Sequence, residues 1–472
     1  MCAFVMTLMY RPALAFRPLV HVYKGPRTRT VTISASTVLS ATATAGIDRT
    51  DIPLVFLHGM KGSNLASPTS THWPSLSGIL NSPPRPDHHP SRDLSLPLTY
   101  KGNVQDRGLL KTDTLVNHIV QINNKLQFIP FYGHVSRLLD ELDTEYKNGQ
   151  MPISTDTSTR SSTSSASASR PTACFVYDWR RNQQELADDF HDFCCTTFPD
   201  QPVQVLAHSM GGLIGLSAMR KYPDKYRPGA VMAGVPFDTG IAYLQDLHLG
   251  YFTELGRCRQ FLPEAQFTLS SHWCFFPMSP ETLEDAFVDV TDSPDLNFQA
   301  NVSSIGKKVD GFREEPVKGK RIEIDFFNVD DWEKNKLGVF GLGLDEERLE
   351  AYRNHMRIQI QLAREFREKA LRPEEPNEDI PPLVVCATNT KPTINQILRR
   401  KNGDDGFDYD YSSGRSVPGD GRINFSGAFP PARHKALALQ SFHAKQFLWE
   451  KEGGDLGKLM GEVDSQIAAY LS

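Results

Sequence analysis

The sequence predicts an α/β protein: a mostly parallel central sheet, helices on both of its faces, and a cap or lid inserted between two strands. Three observations carry this. Short apolar runs alternate with segments of helical spacing, the pattern of a parallel sheet whose strands are buried on both faces. One of those runs, Val203 to Ala207, leads straight into His208-Ser209-Met210-Gly211-Gly212, a strand followed by small residues. The alternation then lapses between Phe237 and Pro381, a stretch far longer than the roughly 15 residues a structureless loop reaches, so it must hold structure of its own.

The elements follow in order. Residues 1–47 are basic and free of acids until Asp48, with Arg11, Arg17, Lys24, Arg27 and Arg29, and their second half is crowded with serine and threonine. Arg-rich, Ser-rich and acid-poor is the pattern of a transit peptide for mitochondria or another organelle; a secreted protein with a poor signal, or a disordered tail on a cytoplasmic one, are the alternatives. Residues 48–472 are read as the main domain. Ile52 to Leu57 is a buried strand, and Val135, Leu138, Leu139 and Leu142 share a helix face. Residues 151–171, rich in serine and threonine, are too polar to pack and are expected to be a disordered insertion. Ala173 to Tyr177 is a strand, and Leu186, Phe190 and Phe193 mark a helix. Val203 to Ala207, Ala230 to Val235 and Leu383 to Ala387 are further strands, and Lys435 to Gln440 the last. Residues 238–380 form the cap, with one strong helix near residues 345–371. The GDDGFDYDY run (Asp404, Asp405, Asp408, Asp410) reads as a solvated loop.

Bulk properties bound the function. Of 472 residues 39% are hydrophobic and 23% charged, with net charge -5, which supports a packed core and excludes the basic stripe of a nucleic-acid binder. No apolar run reaches the roughly 18 residues of a transmembrane helix. Seven cysteines without a Cys-x-x-Cys pair give no zinc site and no disulfide framework; reduced, packed thiols are expected, with a Cys258–Cys274 bridge only in a secreted protein. Sequons at Asn301 and Asn424 do not decide the compartment.

The chemistry is expected at Ser209. A strand-to-helix turn that lifts a side chain out of a sheet needs small neighbours, and Ala-His-Ser-Met-Gly fits the G-x-S-x-G pattern with Ala207 in place of the first glycine. A serine that merely caps the following helix is the alternative. As a nucleophile Ser209 needs a base, and the turn directs the Met210 amide at a developing oxyanion. The second donor should come from the loop after the first strand, His58-Gly59-Met60, through the Met60 amide. His58 is expected to shape that loop. In the order serine, acid, histidine, Asp420 in the glycine-flanked turn PGDGRI is the acid. Of two late histidines, His434 precedes the last strand and His443 follows it. Across that strand they stand on the order of 20 Å apart, so only His443 shares the edge that carries Ser209.

These stretches resemble the lecithin:cholesterol acyltransferase-like family of α/β-hydrolase lipases and acyltransferases. HGMKGSNL is similar to the family's oxyanion loop, with His58-Gly59 where proline-glycine is usual, and THWPSL to its tryptophan-bearing segment. VYDWRRN is similar to its Tyr-Asp-Trp-Arg stretch, AHSMGG to its nucleophile turn, and PGDGRI and SFHAKQFL to the segments of its acid and histidine. The resemblance implies an α/β-hydrolase fold from about residue 52 onward, a triad of Ser209, Asp420 and His443, an oxyanion hole from Met60 and Met210, and Trp73 beside the substrate lip. It implies cleavage of phospholipid or glyceride esters, with the acyl group passed to water or an alcohol, and no metal or organic cofactor. The aromatic run SSHWCFFPMSP either rests on a membrane surface or lipid interface, or glues the cap to the sheet. A small-ester or thioester hydrolase with a closed cap, and a non-catalytic binding protein on a hydrolase fold, are the other readings.

Overall fold

The computed structural model describes residues 20–23, 29–31, 52–74, 89–102, 110–123, 125–130, 132–142, 147–148, 171–238, 240–252, 259–277, 283, 285–293, 296, 298–299, 312–371, 381–387, 389–430 and 436–440. The Ser/Thr-rich insertion up to residue 170, Cys258, Asn301, His434 and His443 lie outside them.

The chain has the α/β-hydrolase fold. Among the described residues nine strands form the main sheet: β1 (Val20–Tyr23), β2 (Arg29–Val31), β3 (Leu54–Leu57), β4 (Lys147–Asn148), β5 (Thr172–Phe175), β6 (Gln204–His208), β7 (Ala230–Ala233), β8 (Leu383–Ala387) and β9 (Ala436–Gln440). Their order is β2-β1-β9-β8-β7-β6-β3-β5-β4. All pairings from β9 to β4 are parallel, while β1 adds antiparallel to β9 and β2 to β1. Two strands of this sheet thus come from the 1–47 segment. The central strands are uniform apolar runs because both faces are covered; every residue of β3, β5, β7 and β8 is buried.

The helices begin where the sequence supplies caps. α1 (Gly133–Leu142) buries Val135 and Leu139. In α2 (Gln183–Thr197) the Asn182 side chain accepts from the Gln184 and Glu185 amides, and Leu186, Phe190 and Cys194 face inward. α3 (Met210–Lys221) is buried along most of its length.

Between β7 and β8 run α4 (Leu244–Leu249), α5 (Pro263–Thr268), α6 (Val329–Lys334) and α7 (Glu346–Glu365). Asp345 caps α7 through the Arg348 amide, and Tyr352, His355, Met356, Gln359, Ile360 and Ala363 bury one helical stripe. A strand of this region, Phe287–Asp289, pairs in parallel with Ile397–Asn402, which follows β8, so the two excursions are knit into one small sheet. The GDDGFDYDY run is part of that sheet, not a solvated loop: Gly406–Asp410 is a strand. Alternation sends Tyr409 and Tyr411 into the core, and buried Asp410 accepts from the amides of Gln299, Ser412 and Ser413. Only the tip at Asp404 and Asp405 is exposed.

Trp273, Cys274, Phe275, Phe276 and Pro277 are buried, with Trp273 and Phe276 packed on Trp332. The aromatic run is thus packed inside the cap region and not exposed as a surface patch. Cys174, Cys194, Cys274 and Cys386 are buried free thiols, and desolvation pushes Cys274 and Cys386 up to about 12, which leaves them inert. The Asn424 side chain is buried against Asn395, which closes that sequon in the folded chain. Among the described residues no helix is long and apolar enough to cross a membrane.

Candidate active site

The turn between β6 and α3 holds Ser209 at φ 53° and ψ -126°. A side chain at positive φ costs about 1–3 kcal/mol and persists only where surroundings enforce it. Here the Ser209 amide donates to Ala233 O at 2.9 Å and its carbonyl accepts from Gly212 N at 2.9 Å. Ser209 makes no side-chain cap bond to the helix, so helix capping does not account for it. The turn is pressed on the end of β3: a Cβ on Gly211 would lie 2.5 Å from His58 O and 2.7 Å from Leu57 O. Gly211→Ala is therefore expected to destabilise by about 1–3 kcal/mol, read as a lowered Tm, because both obstacles are backbone atoms.

The loop at residues 58–63 faces this turn. A Cβ on Gly59 would come within 2.8 Å of Ser209 Cβ, so only glycine permits the approach. The loop is braced at almost every polar atom. Gly59 N donates to Tyr132 Oη at 2.8 Å, Gly62 N to Gly59 O at 3.1 Å, and Trp73 Nε1 to Lys61 O at 2.9 Å. The Tyr-Asp-Trp-Arg stretch does most of the rest. Tyr177 Oη donates to His58 O, Trp179 Nε1 to Ser63 O at 3.1 Å, and Ser63 Oγ to Tyr177 O at 2.7 Å. Asp178 and Arg180, both buried, pair through two bonds at 2.6 and 2.9 Å. Among the described residues the Met60 amide has no acceptor, which leaves it available. Trp73 is buried against Trp179 and Phe261 and buttresses the loop from behind.

His208, which precedes Ser209, and His58, on the loop facing it, are held neutral. Tyr132 Oη, which accepts from Gly59 N, is hydrogen-bonded to His208 Nδ1 at 2.7 Å. His58 Nδ1 donates to Gly59 O at 2.8 Å, and its Nε2 accepts from Tyr177 N at 3.3 Å. Desolvation pushes both imidazoles down to about 3, and His248 and His272 down to about 4. In the unfolded chain all four take up a proton near pH 6.5. Their contribution to stability is therefore complete above pH 6.5 and declines as pH falls from there toward 3. Urea titrations from pH 7 to 5, above the range of ordinary carboxylates, are expected to show falling stability; a flat profile would contradict neutral burial.

Asp420 follows the strand Ser416–Gly419, which pairs antiparallel with Lys391–Ile394 just beyond β8. Its Oδ1 accepts from the Arg422 and Ile423 amides, each at 2.7 Å. Desolvation raises its pKa, and those two amides and the nearby Arg422 and Lys391 oppose the rise. Tyr243 lies near both Asp420 and Ser209. Its phenol feels the charge of Asp420 and the neighbouring Ser209, and its ring stacks on Phe275 at 4.5 Å. Burial raises the Tyr243 pKa, so it remains a phenol. Tyr243 and Tyr132 were not singled out by the sequence; each lies far in the chain from the residues it serves, with no motif around it. His443 begins three residues after β9, and the described residues include neither it nor His434. Among the described residues no group of three His, Cys, Asp or Glu could hold a metal ion.

Fold and turn together define an α/β-hydrolase-fold protein with a serine at the strand-to-helix elbow. Residues 174–275 match the family model for serine aminopeptidases of the S33 type, Hydrolase_4. Among solved structures, a chain of "The crystal structure of Tle4-Tli4 complex" is 10% identical with a TM-score of 0.48, covering 88% of this chain and 99% of that one. No curated protein matches.

Proposed function

We propose that this protein is a serine-dependent acyl-ester hydrolase or acyltransferase acting on lipid esters, of the lecithin:cholesterol acyltransferase-like kind. The observation that carries the reading is the Ser209 elbow: positive φ, no capping bond, and a glycine loop pressed against it. His443 removes the Ser209 proton as the hydroxyl attacks an ester carbonyl. Asp420 holds the imidazole and stabilises its charged form. The amides of Met60 and Met210 take the oxyanion, each worth about 3 kcal/mol. The leaving alcohol takes the proton from His443, and water or a second alcohol resolves the acyl-enzyme.

Strand register supports the assignment of the base. Ala207 is level with Leu57, His208 with Ala233, Ala233 with Cys386 and Cys386 with Leu439, so the ends of β3, β6, β7, β8 and β9 share one edge. Gln440 lies three strands from Ser209, about 14 Å along the sheet. Three further residues can span about 10 Å, which puts His443 within chain reach of that edge. His434 enters β9 from the opposite end. His58 and His208, already bonded and desolvated, are unsuited to the role.

Lipid as substrate rests on the resemblance, of which the Tyr-Asp-Trp-Arg stretch is the more specific part. The buried run at Trp273–Pro277 favours a closed cap, which also suits a small ester. Incubation with long-chain phospholipids and glycerides beside short-chain esters, scoring free fatty acid and transferred acyl products, separates the two. Turnover confined to short chains, with no response to a lipid interface, would replace the lipid reading.

A further inference from the structure

We propose that Lys61 and Arg422 form an anion-recognition subsite beside Ser209 that selects acyl esters bearing a monoanionic oxyacid, a phosphodiester or a carboxylate, over neutral esters. This deepens the lipid-ester reading and rests on it. Lys61 directly follows Met60 on the loop facing the elbow, and Arg422 lies two residues beyond Asp420, so the two cations stand on the loops that supply the oxyanion amide and the acid. Both reach the same ring: the Lys61 ammonium is 3.2 Å from the Tyr251 centroid and the Arg422 guanidinium 5.9 Å. Phe261 closes on the ammonium at 4.8 Å.

Among the described residues Lys61 has no counter-charge of its own. The charged groups that Lys61 feels are Asp246 and Arg422, and Asp246 is already paired with Arg422 at 2.9 Å. Among the described residues the ammonium has neither a hydrogen-bond acceptor nor a carboxylate within ion-pair distance. His272 also faces it and is neutral. Among the described residues Asp246 is taken up by Arg422, and the Asp420 carboxylate by the amides of Arg422 and Ile423, so the Lys61 ammonium is left for one monoanion to satisfy. Lys61 also sits at φ 65°, a strained position that a side chain avoids unless its surroundings hold it there. Desolvation lowers its pKa to about 7, the mark of a buried amine that lacks a counter-charge. Tyr243 lies between this cluster and the elbow, feeling Arg422 and Asp246 on one side and Ser209 on the other.

The test measures kcat/KM of the full chain for phosphatidylglycerol, for diacylglycerol of the same chains, and for a long-chain ester of a hydroxy acid, all in neutral detergent micelles. The anionic esters are expected to be preferred by about tenfold or more, and Lys61→Met is expected to cut that ratio by about tenfold. Whichever anionic arm shows the loss names the group recognised. An unchanged ratio in folded Lys61→Met overturns the proposal. Should that variant fail to fold, the wild type supplies the same test. Lys61 is charged below about pH 7 and discharged above it, so the ratio must fall between pH 6 and 8.5, while titration of the shared catalytic base cancels; a flat ratio overturns it. Fluorophosphonate labelling of Ser209 in the same samples keeps the two readings apart. Labelling without a preference sinks the subsite alone, and no labelling in folded protein sinks both.

Discussion

Ser209→Ala is expected to lower kcat for a long-chain ester by about 10⁴-fold or more while the protein stays folded. Only the hydroxyl is lost; oxyanion donors and substrate contacts remain, and such residues alone retain roughly 10³–10⁴-fold over water in comparable enzymes. Stability should change little. Alanine and serine pay similar strain at φ 53°, and the bonds from Ser209 N to Ala233 O and from Gly212 N to Ser209 O are backbone bonds that survive the substitution. Fatty-acid release read beside a thermal melt checks this. A folded variant that turns over near the wild-type rate would move the nucleophile elsewhere.

The second large effect separates two histidines nine residues apart. His443→Ala is expected to cost about 10⁴-fold or more in kcat, because removing the base alone disables the serine almost as fully as removing the serine. His434→Ala should leave kcat within about twofold. The contrast rests on the direction of β9, which runs parallel to β8 with Gln440 level with Ala387, so the strand ends at the edge where β6 delivers Ser209. The opposite pattern of losses would require the base to reach Ser209 from the far edge, and the triad would fail. Kinetics of the two variants on one soluble ester suffice.

Much of the fold was legible because buried parallel strands are nearly pure apolar runs. Leu54–Leu57, Gln204–His208 and Leu383–Ala387 fall within a residue or two of their predicted ranges, and the last strand is one residue shorter than predicted. The elbow was legible for a steric reason: Gly59 and Gly211 stand where a Cβ would strike Ser209 or the β3 carbonyls. What escaped was long-range. The Gly406–Asp410 strand looked like a loop because its acids mask an alternating tyrosine pattern, and the burial of Asp410 depends on amides that no local window reveals. The strands at Val20–Tyr23 and Arg29–Val31 lie in a segment whose composition suggested an address or a tail. Tyr132, which orients both Gly59 and His208, and Tyr243, which lies near both Ser209 and Asp420, act across gaps that only tertiary structure closes. The Tyr-Asp-Trp-Arg stretch was noticed as a motif, but its work, bracing the loop that carries Met60, became visible only in its hydrogen bonds.

The most direct test of the account is to treat the full-length protein with a fluorophosphonate and map the adduct by peptide mass spectrometry, in the wild type and in His443→Ala. A single adduct on the peptide carrying Ser209, formed at least about a hundredfold more slowly without His443, is the predicted result. Folded wild-type protein that takes no label, or takes it on another residue, would contradict the claim that Ser209 is an activated nucleophile.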